Sequence, residues 1–127
     1  MCSIHDVTKK PELWYHAFLL AMIVPLRDRG YEVESNAEAG LGRVDLLLYP
    51  RRNSTPGIII EIKTFTEFVK ISSDDDLKKL ADEALTQIRD KDYSARLRGK
   101  SSSALFFGVA VYNKFVSVAF DRSSLQS

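Results

Sequence analysis

The chain has 127 residues, 45% of them hydrophobic and 28% charged, and its 18 basic and 17 acidic residues leave a formal net charge of +1. That composition suits one globular domain of ordinary size and excludes a disordered tail, a collagen-like rod and a low-complexity linker. The charge balance carries no polybasic signature, so composition alone lends nucleic-acid binding no support.

A helix is expected from Pro11 to about Arg29. Pro11 suits a first helical turn, Thr8 is a candidate cap and Gly30 supplies the stop. Leu13, Ala17, Leu20, Ala21 and Val24 share one face, whereas Pro25 lacks an N–H and should kink or split the last turn. Tyr31 to Asn36 alternates as a short half-exposed strand. Glu38 to Arg43, with Gly40 and Gly42, reads as a turn. Val44 to Tyr49 is a second strand, and the polar loop from Pro50 leads to a third at Gly57 to Lys63. The unbroken run Ile58, Ile59, Ile60 predicts burial on both faces of that third strand. Asp74, Asp75 and Asp76 precede Leu77, Leu80, Ala81, Ala84, Leu85 and Ile88, which follow helical spacing. The acidic run is either a helix start, favoured by the dipole, or a metal-binding feature. Ala104 to Val111 and Phe115 to Phe120, around Asn113-Lys114, form a hairpin, and Ser123 to Ser127 reads as an unstructured tail. The order of elements implies an α/β fold with one central mixed sheet flanked by helices.

The informative segment is the third strand. Residues i and i+2 of a strand face the same way, so Glu61 and Lys63 emerge together from the end of a buried run. Charges placed there need a partner, water or an ion. A simple ion pair at an exposed sheet end is one reading. Asp45 opens the other. It follows the glycine turn, and the short loop between strands two and three makes them antiparallel neighbours, which sets Asp45 beside Glu61. Two carboxylates and a lysine then converge, and oxygen ligands without Cys or His suit Mg²⁺ or Mn²⁺.

Gly42-Arg43-Val44-Asp45-Leu46, a spacer, and Ile59-Ile60-Glu61-Ile62-Lys63 resemble the signature of the PD-(D/E)XK nuclease superfamily. Tyr15-His16, Gly30-Tyr31-Glu32-Val33, Glu83 to Ile88 with Tyr93, and Gly108-Val109-Ala110 before Lys114 resemble its Holliday-resolvase-like branch, often found at the C-terminus of bacterial AAA-ATPase-like proteins. The resemblance runs from about Glu12 to Phe120. Val44 stands where the family name carries proline. The implied fold is restriction-endonuclease-like, with an α-β-β-β-α-β core over about residues 11–120 of a single domain, which a longer protein could also contain.

The resemblance implies that Asp45, Glu61 and the Ile62 carbonyl hold Mg²⁺ or Mn²⁺, with Glu12 as an accessory acid, and that Lys63 orients or activates the attacking water. It implies that Gln87 and Tyr93 support the site or contact the phosphate; for Gln87 the plain alternative is an exposed helix residue. Glu12 is otherwise a favourable charge in a first helical turn. His16 reads as a packing histidine, and Arg43 either reaches a phosphate or pairs with Glu38. Arg51-Arg52, Lys78-Lys79, and Arg96, Arg98 and Lys100 are each solvated surface or phosphate contacts. The expected activity is metal-dependent hydrolysis of nucleic acid, DNA before RNA. The competing readings are a catalytically silent binding module and a homodimer formed through the hairpin edge.

The single Cys2 can form no internal disulfide, and two histidines cannot build a zinc cluster. No apolar stretch reaches the roughly 20 residues of a membrane helix, and Lys9, Lys10, Pro11 and Glu12 interrupt a signal-peptide pattern. A soluble intracellular setting, cytoplasmic or nuclear (nucleoid), is therefore expected.

Overall fold

The computed structural model describes residues 21, 24–40, 42–52, 55–64, 73–112 and 115–125. In chain order these form β1 (Tyr31–Ala39), β2 (Gly42–Pro50), β3 (Gly57–Thr64), helix α1 (Asp74–Asp90), a 3-10 helix (Tyr93–Leu97), β4 (Ser103–Tyr112) and β5 (Phe115–Ser124). A helical stretch over 24–28 precedes β1 and includes Pro25; it closes with the Gly30 N–H on the Arg27 carbonyl at 3.1 Å. Gly30 has a φ of +97°, as expected of a glycine stop. Thr8, Pro11, Glu12 and His16 lie outside the described residues.

The five strands form one sheet in the order β1-β2-β3-β4-β5. Only β3 and β4 run parallel; the other three pairs are antiparallel. A parallel pair requires a crossover, and the connection here contains α1, which lies along one face of the sheet. That face presents Leu47, Tyr49, Ile59, Ala104 and Phe106 to Leu85, Ile88, Tyr93 and Leu97. Leu77, Leu80 and Ala81 pack on Ala110 beside them. On the opposite face Leu46, Leu48, Ile62, Val109 and Val111 form a second cluster with Tyr31, to which Leu26 adds.

The α1 start explains its acidic run. The Ser73 hydroxyl accepts from the Asp76 N–H at 3.3 Å, and Asp74, Asp75 and Asp76 fill the first turn, where the dipole favours negative charge. All six apolar residues read from the spacing are buried.

How closely α1 approaches the sheet depends on Gly108. This residue is the register partner of Glu61 in the parallel pair. A Cβ at position 108 would lie 2.3 Å from the Ala81 carbonyl oxygen and 2.6 Å from the Leu85 nitrogen. Helix backbone therefore rests directly on strand backbone, a contact only glycine permits.

Three expectations need correction. β1 runs to Ala39 because Ala37, Glu38 and Ala39 pair with Val44, Arg43 and Gly42, so the turn shrinks to two residues. Its Gly40 has a φ of +53°, and a Cβ there would collide with the Lys91 and Asp92 carbonyls. β5 continues through Ser124, since Ser123 and Ser124 pair with Ala104 and Ser103 instead of forming a tail. Within β3, Ile59 is buried but Ile58 and Ile60 are half-buried. Phe115 and Phe120 are exposed at 62% and 53%, while Phe106 belongs to the core.

Replacing Gly108 with alanine should force α1 away from β4. We expect Gly108→Ala to destabilise the fold by about 1–3 kcal/mol, the usual penalty for overpacking. Thermal unfolding of the variant against the parent chain measures it.

Candidate active site

Leu46 pairs with Ile60 between β2 and β3, so Asp45 stands one step further along, beside Glu61. At this step a side chain joins the strand pairing. The Ile62 N–H donates to Asp45 Oδ2 at 2.7 Å. Asp45 is thus held by the backbone of the strand that carries Glu61 and Lys63, and its carboxyl also hydrogen-bonds that of Glu61.

Glu61 is only 4% exposed. Burial, then the hydrogen bond and negative charge of Asp45, push its carboxyl up to about 8, with Lys63 pulling the other way. Two carboxyl groups so close cannot both ionise cheaply, and the pair retains a proton around neutrality. A cation placed between them would offset both the cost of burial and the repulsion that keep the proton there.

Gln87 joins the pair to the lysine. Its Nε2 donates to Glu61 Oε2 at 2.5 Å and to the Tyr93 hydroxyl at 2.9 Å. Its Oε1 accepts from Lys63 Nζ at 2.6 Å. Both amide hydrogens and the carbonyl are occupied, and a flipped amide would turn its NH2 toward the Lys63 ammonium. Gln87 is half-buried and reaches across from α1. The helix stands close enough because Gly108 sits opposite Glu61.

Tyr93 is 1% exposed and supports Gln87 from below. Burial raises its hydroxyl above the ordinary value, so it stays protonated. Two glycines fix the surroundings of this tyrosine. Gly42 faces it, since a Cβ at 42 would lie 3.4 Å from the Tyr93 hydroxyl. Gly40 lets the β1–β2 turn press on Lys91 and Asp92, where Asp92 turns the chain with a φ of +52°.

Asp45, Glu61, Lys63, Gln87 and Tyr93 therefore meet at one place. Arg43 lies in β2 two residues before Asp45, with its side chain outside the described set, and Glu12 is likewise outside it. Among the described residues no group of three or more His, Cys, Asp or Glu side chains is gathered for a metal. The oxygens that could hold one are those of Asp45, Glu61 and the Ile62 carbonyl. These are hard oxygens from one buried acid and a second acid hydrogen-bonded to it, and they fit a hard divalent cation. The sequence presents Gly40, Gly42 and Gly108 only as turn or strand residues; the signal for Gly108 is a glycine inside the apolar run Phe107 to Val111.

The basic clusters do not gather around the acids. Lys78 and Lys79 are exposed on α1. Arg96 pairs with Glu34 at 2.8 Å, and Arg98 pairs with Asp92.

Glu61 imposes a pH dependence with a definite sign. Its folded value of about 8 lies above the ordinary 4.5, so between these limits the folded chain binds more protons than the unfolded one. Stability of the metal-free protein should then fall as pH rises through that interval. Melting temperature measured across it should drop for the parent chain and flatten for Glu61→Gln, which cannot ionise.

A family model described as the PD-(D/E)XK nuclease superfamily matches residues 10–120. None of the curated proteins matches the chain.

Proposed function

We propose that this chain, which belongs to the PD-(D/E)XK nuclease superfamily, hydrolyses phosphodiester bonds of nucleic acid using Mg²⁺ or Mn²⁺ held by Asp45, Glu61 and the Ile62 carbonyl. Nucleases of this superfamily typically use divalent metals. The observation that carries the reading is the buried Glu61 carboxyl against Asp45, tied through Gln87 to Lys63. The bound cation would lower the pKa of a water and offset charge developing on the phosphate.

The protein groups have separable tasks. Asp45 is oriented by the Ile62 N–H, which leaves the carboxyl facing Glu61. Gln87 fixes the Glu61 carboxylate and holds the Lys63 ammonium within 2.6 Å of its own carbonyl. Lys63 then offers a localised positive charge and its two remaining N–H donors to the attacking water or a phosphate oxygen. Tyr93 keeps Gln87 in register from beneath. Glu12 serves as the accessory acid and Arg43 as a phosphate contact. DNA is the favoured substrate, and Gln87 followed by Tyr93 supports the Holliday-resolvase-like branch.

Supercoiled plasmid and single-stranded DNA incubated with Mg²⁺ or Mn²⁺ should be cut. Glu61→Ala and Lys63→Ala should each lower the rate by at least about 100-fold, the scale of losing an electrostatic stabiliser. Gln87→Ala should lower it by about tenfold, roughly 1.4 kcal/mol of transition-state stabilisation. Equal residual activity in parent and variants would exclude the nuclease reading. Mn²⁺ should raise the melting temperature more at pH 8 than at pH 6, because the proton on Glu61 competes with the cation, and EDTA should reverse the gain.

A further inference from the structure

Positive charge that the sequence scatters over three segments is brought together at the end of the sheet remote from the carboxyl pair. Tyr31 pairs with Pro50 there. The Arg51 N–H donates to the Gly30 carbonyl at 2.9 Å, which sets Arg51 and Arg52 beside Arg27 and Arg29. The Ser101 hydroxyl donates to the Thr55 carbonyl at 2.6 Å and joins this loop to the one bearing Arg98 and Lys100. Tyr49, next to Pro50, has Lys100 Nζ 4.3 Å and the Arg96 guanidinium 5.4 Å from its ring centre.

Among the described residues, six basic ones, five of them arginine, share this end with three acids, Asp28, Glu32 and Glu34, while Arg98 reaches from its edge back to Asp92 by the β1–β2 turn. Glu34 is already bound by Arg96 and the Tyr49 hydroxyl, and Asp92 by Arg98. Arg27, Arg29, Arg51, Arg52 and Lys100 are exposed and make no ion pair with an acid among the described residues. The described residues of this end carry a net charge of +3, against −2 summed over all other residues of a chain whose total is +1. The overall balance is a cancellation between two regions.

We infer that this arginine-rich end is a second contact for the phosphate backbone of nucleic acid, an anchor for the duplex flanking the site. This rests on the nuclease reading above. The forked guanidinium matches phosphate geometry, and each phosphate neutralised releases condensed counterions. Five residue steps along β2 lead from Asp45 to Pro50, about 17 Å at the strand rise. That span corresponds to about five nucleotide steps of a duplex. A substrate seated at the carboxyl pair can therefore extend to the basic end within half a helical turn.

The test is fluorescence anisotropy of a labelled duplex of about 30 base pairs in EDTA, titrated at several salt concentrations. Arg51→Ala combined with Arg52→Ala should weaken binding by about tenfold and flatten the plot of log affinity against log salt by about 1–2 units. Both side chains are exposed, so the melting temperature should not move, and cleavage at saturating DNA should be retained. Unchanged affinity and slope in the double variant would overturn the anchor. A parent chain that cuts DNA while the double variant binds normally would leave the nuclease standing and the anchor refuted. One that never cuts, yet loses affinity and slope in the double variant, would do the reverse.

Discussion

Two carboxyl groups pressed together at the edge of a hydrophobic core are the constraint from which the rest of this structure follows. Glu61 sits at 4% exposure against Asp45, and in the absence of a cation it can remain there only by keeping its proton to about pH 8. Such a pair is a poor stabiliser of a fold, since well-packed apolar residues would serve that purpose better. What it provides is a strong affinity for compensating positive charge, supplied here from one side by Lys63.

Holding those groups in place takes two elements far apart in sequence. The sheet alone aligns Asp45, Glu61 and Lys63 by antiparallel register and by the period of two. Gln87 must come from α1, and its three hydrogen bonds to Glu61, Lys63 and Tyr93 leave no freedom of orientation. The helix can deliver it because Gly108 removes a side chain from the strand directly beside Glu61. A missing Cβ in β4 is thus transmitted through helix packing to the geometry of a carboxyl group on β3. The β1–β2 turn acts similarly, with Gly40 allowing it to press on the chain reversal that sets Tyr93.

The pairing of β2 with β3, and so the meeting of Asp45 and Glu61, was legible because a short loop permits little else. The apolar stripe of α1 was legible for the same local reason: Leu77 to Ile88 keep helical spacing throughout. Strand ends were not. Glu38 and Ala39 look like turn, and Ser123 and Ser124 like tail, yet backbone pairing with Arg43, Gly42, Ala104 and Ser103 overrides their weak propensity. Ile58 and Ile60 read as fully buried because periodicity does not say how completely a face is covered. Gly108 showed a glycine in a strand but not which helix rests on it. Arg51-Arg52 and Arg96 to Lys100 were legible as separate basic clusters, but their gathering with Arg27 and Arg29 was not, since 27–29, 51–52 and 96–100 meet only in three dimensions. Net charge averages over the whole chain and cannot report such a separation.

Titration calorimetry with Mn²⁺ decides whether Asp45 and Glu61 form a cation site built into the β2–β3 junction. The parent chain should take up Mn²⁺ at this site, and Asp45→Asn, which keeps the shape of the side chain but removes its charge, should lose that uptake while remaining folded. Equal Mn²⁺ binding by the two proteins, or none by a folded parent chain, would contradict such a site.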